Sequence, residues 1–117
     1  SPELVYHVHF STPGTYYVWV RGYGESGNDD SIHAGIDGTG PSSADRIEGF
    51  TTSWTWSRDT RDGVVATLKV PSAGLHTLHL WMREDGFRVD RFLLRTDSSG
   101  TAPAGIGPAE SPRVAAQ

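Results

Sequence analysis

Leu4, Tyr6, Val8 and Phe10 alternate with Val5, His7 and His9, a period of two that predicts a strand with one buried face. Ser11-Thr12-Pro13-Gly14 reads as the turn that ends it. Thr15 to Tyr23 (TYYVWVRGY) carries β-branched and aromatic residues on both faces, which predicts a central strand covered on two sides. Gly24 to Asp30 is a polar loop, and Ser31 to Ile36 follows as a strand with Ile32, Ala34 and Ile36 on one face, ending in the turn 37–41. Arg46 to Phe50 and Ser53 to Trp56 read as two short strands or one kinked strand, with Trp54 and Trp56 on the same side. Val64 to Val70 and Leu75 to Met82 are strands separated by Pro71-Ser72-Ala73-Gly74, which suits a hairpin. Arg83-Glu84-Asp85-Gly86 then leads to a last strand, Phe87 to Leu94. Seven or eight short strands without a helical period predict an all-β sandwich or jelly roll over residues 1–96. From Asp97 to Gln117 periodicity and apolar bulk both vanish, so 97–117 reads as a Pro/Gly/Ala-rich tail or linker.

Composition narrows the function classes. The 117 residues suffice for one domain that buries roughly two-thirds of its unfolded surface without a covalent staple. No apolar run approaches the roughly 18 residues needed to span a bilayer, so no membrane contact is expected. A net charge of −4, with nine arginines and one lysine scattered and unclustered, argues against a nucleic-acid surface. Cysteine is absent, which excludes disulfides and thiolate metal sites.

The segments YHVHFSTPGTYYVWVRGYG, DDSIHAGIDG, WTWS, AGLHTLHLWMREDGFRVDRFLL and PAGIGPAESP resemble the β-jelly-roll carbohydrate-binding modules of families 6 and 35. They resemble more closely the C-terminal domain of family 115 glycoside hydrolases. The likeness implies binding loops at one end of the sandwich: Asn28, Asp29, Asp30 and Ser31, then Trp54 and Trp56, then Arg83, Glu84 and Asp85. Such modules begin with a further strand or two before the one that reads YHVHF here. The expectation is therefore a sandwich lacking its first strand, with an open edge that the tail or a second chain could cover.

Sugar recognition needs an aromatic face for the C–H surface of a pyranose and planar or charged groups for its hydroxyls, and these loops hold both. The bland alternative for Trp54 and Trp56 is core packing, although Ser53, Thr55, Ser57 and Arg58 around them favour exposure. Trp19 and Trp81, set among Val18, Val20, Leu80 and Met82, read as buried. The Arg83-Glu84-Asp85 loop is either a solvated charged hairpin or a rim in which Arg83 takes a uronate carboxylate and the acids take hydroxyls. Asp29 and Asp30 could instead join Asp85 around Ca²⁺, the one cofactor to consider. His7 and His9 share a face, whereas His76 and His79 are three apart on opposite faces, so a Zn²⁺ site has little support. A glycosidase pair drawn from Glu84, Asp85 and Asp30 lacks a cleft, and no GxSxG elbow, Walker loop or HExxH occurs.

The expected function is a non-catalytic carbohydrate-binding module of a larger secreted enzyme, holding it on a plant or algal polysaccharide or oligosaccharide. The rival is a structural module of the same fold that packs on a catalytic domain or self-assembles through its open edge.

Overall fold

The computed structural model describes residues 3–24, 31–61, 63–82, 87–98 and 100–108. Among the described residues nine strands follow in chain order: β1 (Glu3–Phe10), β2 (Gly14–Gly24), β3 (Ile32–Ile36), β4 (Ile47–Glu48), β5 (Thr55–Ser57), β6 (Asp59–Thr60), β7 (Thr67–Val70), β8 (Gly74–Met82) and β9 (Phe87–Arg95). A 3₁₀ turn at Ser42–Ala44 precedes β4.

All pairings among the described residues are antiparallel, and they build two sheets. The first has the order β1-β8-β3-β4-β6. In the second, β2 is the hub: β9 runs along one of its edges from Tyr17 to Gly24, while β7 and β5 share the other, opposite Gly14–Tyr17 and Val20–Gly22 respectively. The alternation seen in the sequence governs which residues face inward. Val18 and Val20 of β2, Ile32 and Ala34 of β3, and Leu78 and Leu80 of β8 are fully buried and meet Ile47, Leu68, Phe50 and Phe87 in one core. The expected all-β sandwich is what the chain forms.

Two local expectations give way to the pairing. Pro71–Gly74 does not close a hairpin, because β7 pairs with β2 and β8 lies between β1 and β3 in the opposite sheet. The four residues turn a corner instead, with Gly74 at φ 121° in a region that side chains avoid. Of the two readings of the Trp-rich stretch, two short strands are formed, β4 joining one sheet and β5 the other. A two-residue strand, β6, pairs with β4 where no strand was expected.

The outward face of β2 is covered as predicted, but by an unexpected element. Trp19 points away from the core and is nonetheless only 4% exposed. Ser98 and residues 100–108 lie on that face, tethered by Arg58 Nη2 donating to the Ser98 carbonyl (3.2 Å), Arg95 Nη1 to Thr101 (3.0 Å) and Arg91 Nη1 to Ile106 (3.1 Å). Pro103 is buried there. These bonds come from side chains to main-chain carbonyls, so the segment docks without needing strand periodicity of its own.

A candidate carbohydrate-binding end of the sandwich

The strand ends on either side of residues 25–30 and 83–86 converge. Gly24 is opposite Phe87, and Ile32 is opposite both Met82 and Ile47. The connection from β4 to β5 crosses at the same end, where the Gly24 N–H donates to the Thr51 carbonyl at 2.9 Å. Asn28, Asp29, Asp30, Arg83, Glu84 and Asp85 lie outside the described residues. Ser31, Trp54 and Trp56 are described: Ser31 is buried beside the core, Trp54 is 43% exposed and Trp56 is half-buried.

The crossing that carries Trp54 is held by its own hydroxyls. Thr51 Oγ1 lies 3.0 Å from both Ser53 Oγ and Thr55 Oγ1, and Thr55 Oγ1 donates to the Ser53 carbonyl at 2.9 Å. Beneath it Phe50 and Phe87 meet with centroids 4.8 Å apart, filling the space over Gly22, where a Cβ would come within 2.5 Å of the Phe87 ring. The result is a short rigid bridge with an indole on top.

Three residues absent from the predicted set support that indole. Tyr23 meets Trp54 at 5.6 Å between centroids, Arg21 sets its guanidinium 5.4 Å from the Trp54 ring, and Arg88 sets its own 5.5 Å from Tyr23. Arg21 is oriented by a 2.8 Å ion pair with Asp90. Asp90 reaches it because the β2–β9 register shifts between Arg21 and Gly22, passing from Arg91 to Val89 and leaving Asp90 as the extra residue of a bulge. A signal for part of this existed in the sequence, since Tyr17, Trp19, Arg21 and Tyr23 follow one another at a spacing of two and so share a face. A cation behind an exposed indole holds the ring in place, and the open face is suited to stacking on the apolar side of a sugar.

Trp56 has a different role. Its indole N–H donates to the Gly105 carbonyl at 2.8 Å, and a Cβ on Gly107 would sit 2.8 Å from the ring, so residues 105–107 pack directly onto it. The two tryptophans share the outer side of the second sheet as expected, but one is presented to solvent and the other anchors the C-terminal segment. The spacing G-x-G-x-x-G occurs at residues 22–27. Its described part continues an antiparallel strand and opposes β9, whereas the dinucleotide fingerprint opens a βα unit.

On the first sheet, histidines pair with carboxylates instead of with one another. His79 Nδ1 lies 2.7 Å from Glu3 Oε2, His33 Nδ1 contacts Asp45, and His76 Nδ1 lies 2.6 Å from Asp37 Oδ2. Among the described residues no group of three or more His, Asp or Glu is arranged to hold a metal ion. Asp29, Asp30 and Asp85, the residues weighed for Ca²⁺, lie outside the described residues.

His76 is held between two acceptors, the Asp37 carboxylate and the Ser72 carbonyl, the latter 2.7 Å from Nε2. The hydrogen bond to Asp37 and then that to Ser72 raise its pKa above the usual value. The same bond from His76, aided by the Thr77 N–H, holds Asp37 below the usual carboxylate value against partial desolvation. A raised imidazole stabilises the fold below its unfolded pKa of about 6.5 and loses that contribution as pH rises through the folded value; the depressed carboxylate contributes above about 4 and loses it on acidification. His76→Gln is therefore expected to destabilise the chain more at pH 6 than at pH 9, as read by urea unfolding at the two values. An equal loss at both would exclude titration of this pair.

A two-sheet antiparallel sandwich with an indole platform at one end is the class of protein defined by this geometry: a small β-sandwich module. The family model of the glycosyl hydrolase family 115 C-terminal domain matches residues 1–110, and the chain belongs to that family. That domain is an accessory region of a glycoside hydrolase. The chain is also 38% identical over 103 residues to a protein of Formosa agariphila described as uncharacterized protein P23, covering 80% of this chain and 25% of that protein. It thus spans about a quarter of the length of this curated relative. No solved structure matches the chain.

Proposed function

We propose that this domain is a non-catalytic carbohydrate-binding module that acts within a larger secreted enzyme and holds it on a plant or algal polysaccharide. One observation carries the reading: Trp54 stands open to solvent on a hydroxyl-braced bridge, backed by Arg21 and Tyr23, where the strand ends flanking residues 25–30 and 83–86 converge. An aromatic of this size exposed in a rigid setting is suited to binding a ring face, with the arginines at its side for hydroxyl or carboxylate groups. Tethering by such a platform raises the local substrate concentration for an attached catalytic domain without any chemistry of its own.

Isothermal titration against xylan, glucuronoxylan, alginate and pectin tests it. Binding to at least one is expected, and Trp54→Ala should weaken that binding by about tenfold or more, the loss of one stacking partner, with unfolding midpoint unchanged. Trp56→Ala should do the reverse, lowering stability by about 1–2 kcal/mol through the lost anchor while leaving affinity nearly intact. Absence of heat with every polysaccharide, or equal binding by Trp54→Ala, overturns the proposal.

A further inference from the structure

Arg58 is the one charged side chain buried among the described residues, 9% exposed beside a Trp19 that is 4% exposed. Burying a guanidinium is costly unless an anion and a full set of hydrogen bonds accompany it. Arg58 has neither. Among the described residues no carboxylate pairs with it. Its Nη2 donates to the Ser98 carbonyl at 3.2 Å, and its Nη1 is buried without an acceptor. The indole N–H of Trp19 is buried without one as well.

The two orphaned donors come from adjoining side chains on the outer face of the second sheet. Arg58, just after β5, sets its guanidinium 5.0 Å from the Trp19 ring and 5.5 Å from that of Tyr17, and Arg95 sets a second guanidinium 6.0 Å from Trp19. Two cations thus converge on one indole, and both donate to main-chain carbonyls: Arg58 to Ser98 and Arg95 to Thr101. Gly100 lies against the same place, since a Cβ on it would sit 3.4 Å from Arg58 Nη2. Ser98, Gly100 and Thr101 therefore form a cover that leaves groups beneath it unsatisfied. Each unmet buried donor raises the free energy of the closed arrangement. A guest that supplies acceptors when the cover lifts removes that penalty and so favours the open form.

We propose that Arg58 and the Trp19 indole N–H form a carboxylate-binding site closed by Ser98, Gly100 and Thr101. Both unmet groups are donors, and one belongs to a cation, which selects an anion. A planar carboxylate fits the guanidinium fork: it takes Nη1 and, once the Ser98 carbonyl moves off, Nη2 as well. The indole N–H, which can only donate, supplies a third hydrogen bond. A single negative charge also matches the one buried guanidinium, whereas a divalent oxyanion would bring an excess charge into a buried place. The exchange replaces a neutral carbonyl by a charged acceptor, and charge-assisted hydrogen bonds are the stronger kind. The cover is free to make it, because Ser98, Gly100 and Thr101 belong to no strand ladder. Trp56 meanwhile keeps its hold on Gly105. Trp54 takes no part, so the site is independent of the sugar-binding reading.

Nuclear magnetic resonance on the full 117-residue chain reads the site directly, because each indole N–H gives its own signal. Sodium acetate, exchanged for sodium chloride at constant ionic strength, should move the Trp19 indole resonance and the Gly100 amide together. Saturation is expected with Kd on the order of 1–10 mM, while the Trp81 indole stays in place. Arg58→Gln should raise that Kd at least tenfold. Trp19→Phe keeps an aromatic ring and deletes the N–H; it should raise Kd several-fold as read at Gly100, with the fold intact by circular dichroism. A parallel titration with sodium galacturonate separates the sources of the carboxylate. Response to acetate alone assigns the site to small free carboxylates, and response to galacturonate extends it to one carried on a sugar ring. Silence towards both salts overturns the proposal, as does a response unaltered in Arg58→Gln and Trp19→Phe. Sodium sulfate binding as tightly as acetate overturns it too, by removing the preference for a carboxylate.

Discussion

Leu80→Ala is expected to lower the unfolding free energy by about 3–4 kcal/mol, and Tm by roughly 10–15 °C for a domain of this size, as measured by urea and thermal unfolding. Leu80 is fully buried near the middle of the first sheet, in register with Leu4 on β1 and Ala34 on β3. Both neighbouring strands are fixed by ladders on that side, and Ala34 has no side-chain length with which to fill a void. The cavity would therefore persist, which places the cost in the upper part of the range for such truncations. Leu75→Ala on the same strand is the control. Leu75 faces outward and is 48% exposed, so its loss should fall within about 0.5 kcal/mol. Similar losses at both positions would show that the inward and outward faces of β8 are misassigned.

Gly35→Ala should cost about 2–3 kcal/mol for the opposite reason, overpacking. Trp81 lies across Gly35 on the outer face of the first sheet, and a methyl there would come within 2.6 Å and 2.8 Å of its ring carbons and press on the Thr39 carbonyl. The indole could be displaced, but the carbonyl belongs to a pinned turn. Ile36 and Thr39 exchange backbone hydrogen bonds of 3.0 Å each, and Asp37 N–H donates to Thr77 at 2.8 Å. Combining Gly35→Ala with Trp81→Leu should recover only part of the loss, because the contact with Thr39 remains. A double-mutant cycle on unfolding free energies reads this coupling. Full recovery would make Trp81 the sole obstacle.

The two tryptophans read together in the sequence illustrate what local pattern does and does not carry. Their spacing of two placed both on one side, and both do lie on the outer side of the second sheet. Their fates differ because residues 105–107 pack onto Trp56, while Trp54 is left 43% exposed. Nothing in Thr101 to Pro108 announces that contact, since it depends on the Trp56 indole and arginine side chains donating to carbonyls, which every residue type possesses. The corner at Pro71–Gly74 is a similar case. Four turn-forming residues suit a hairpin or a crossing equally, and the choice was made by the partners available to β7 and β8 across the fold. For the support of Trp54, the spacing of Arg21 and Tyr23 was legible but the brace on Arg21 was not, because Asp90 reaches it only through a bulge in a register that joins residues far apart in the chain.

By itself, then, the sequence determined the longer strands, their inward faces and the two-sheet class, because a period of two is a local property that burial converts directly into structure. Its resemblance also led to the family the chain belongs to. Only the tertiary structure decided which strands are neighbours and which tryptophan is open. Those are outcomes of pairing and docking between distant segments, and hydrogen bonds to main-chain groups leave no mark on the residues that accept them.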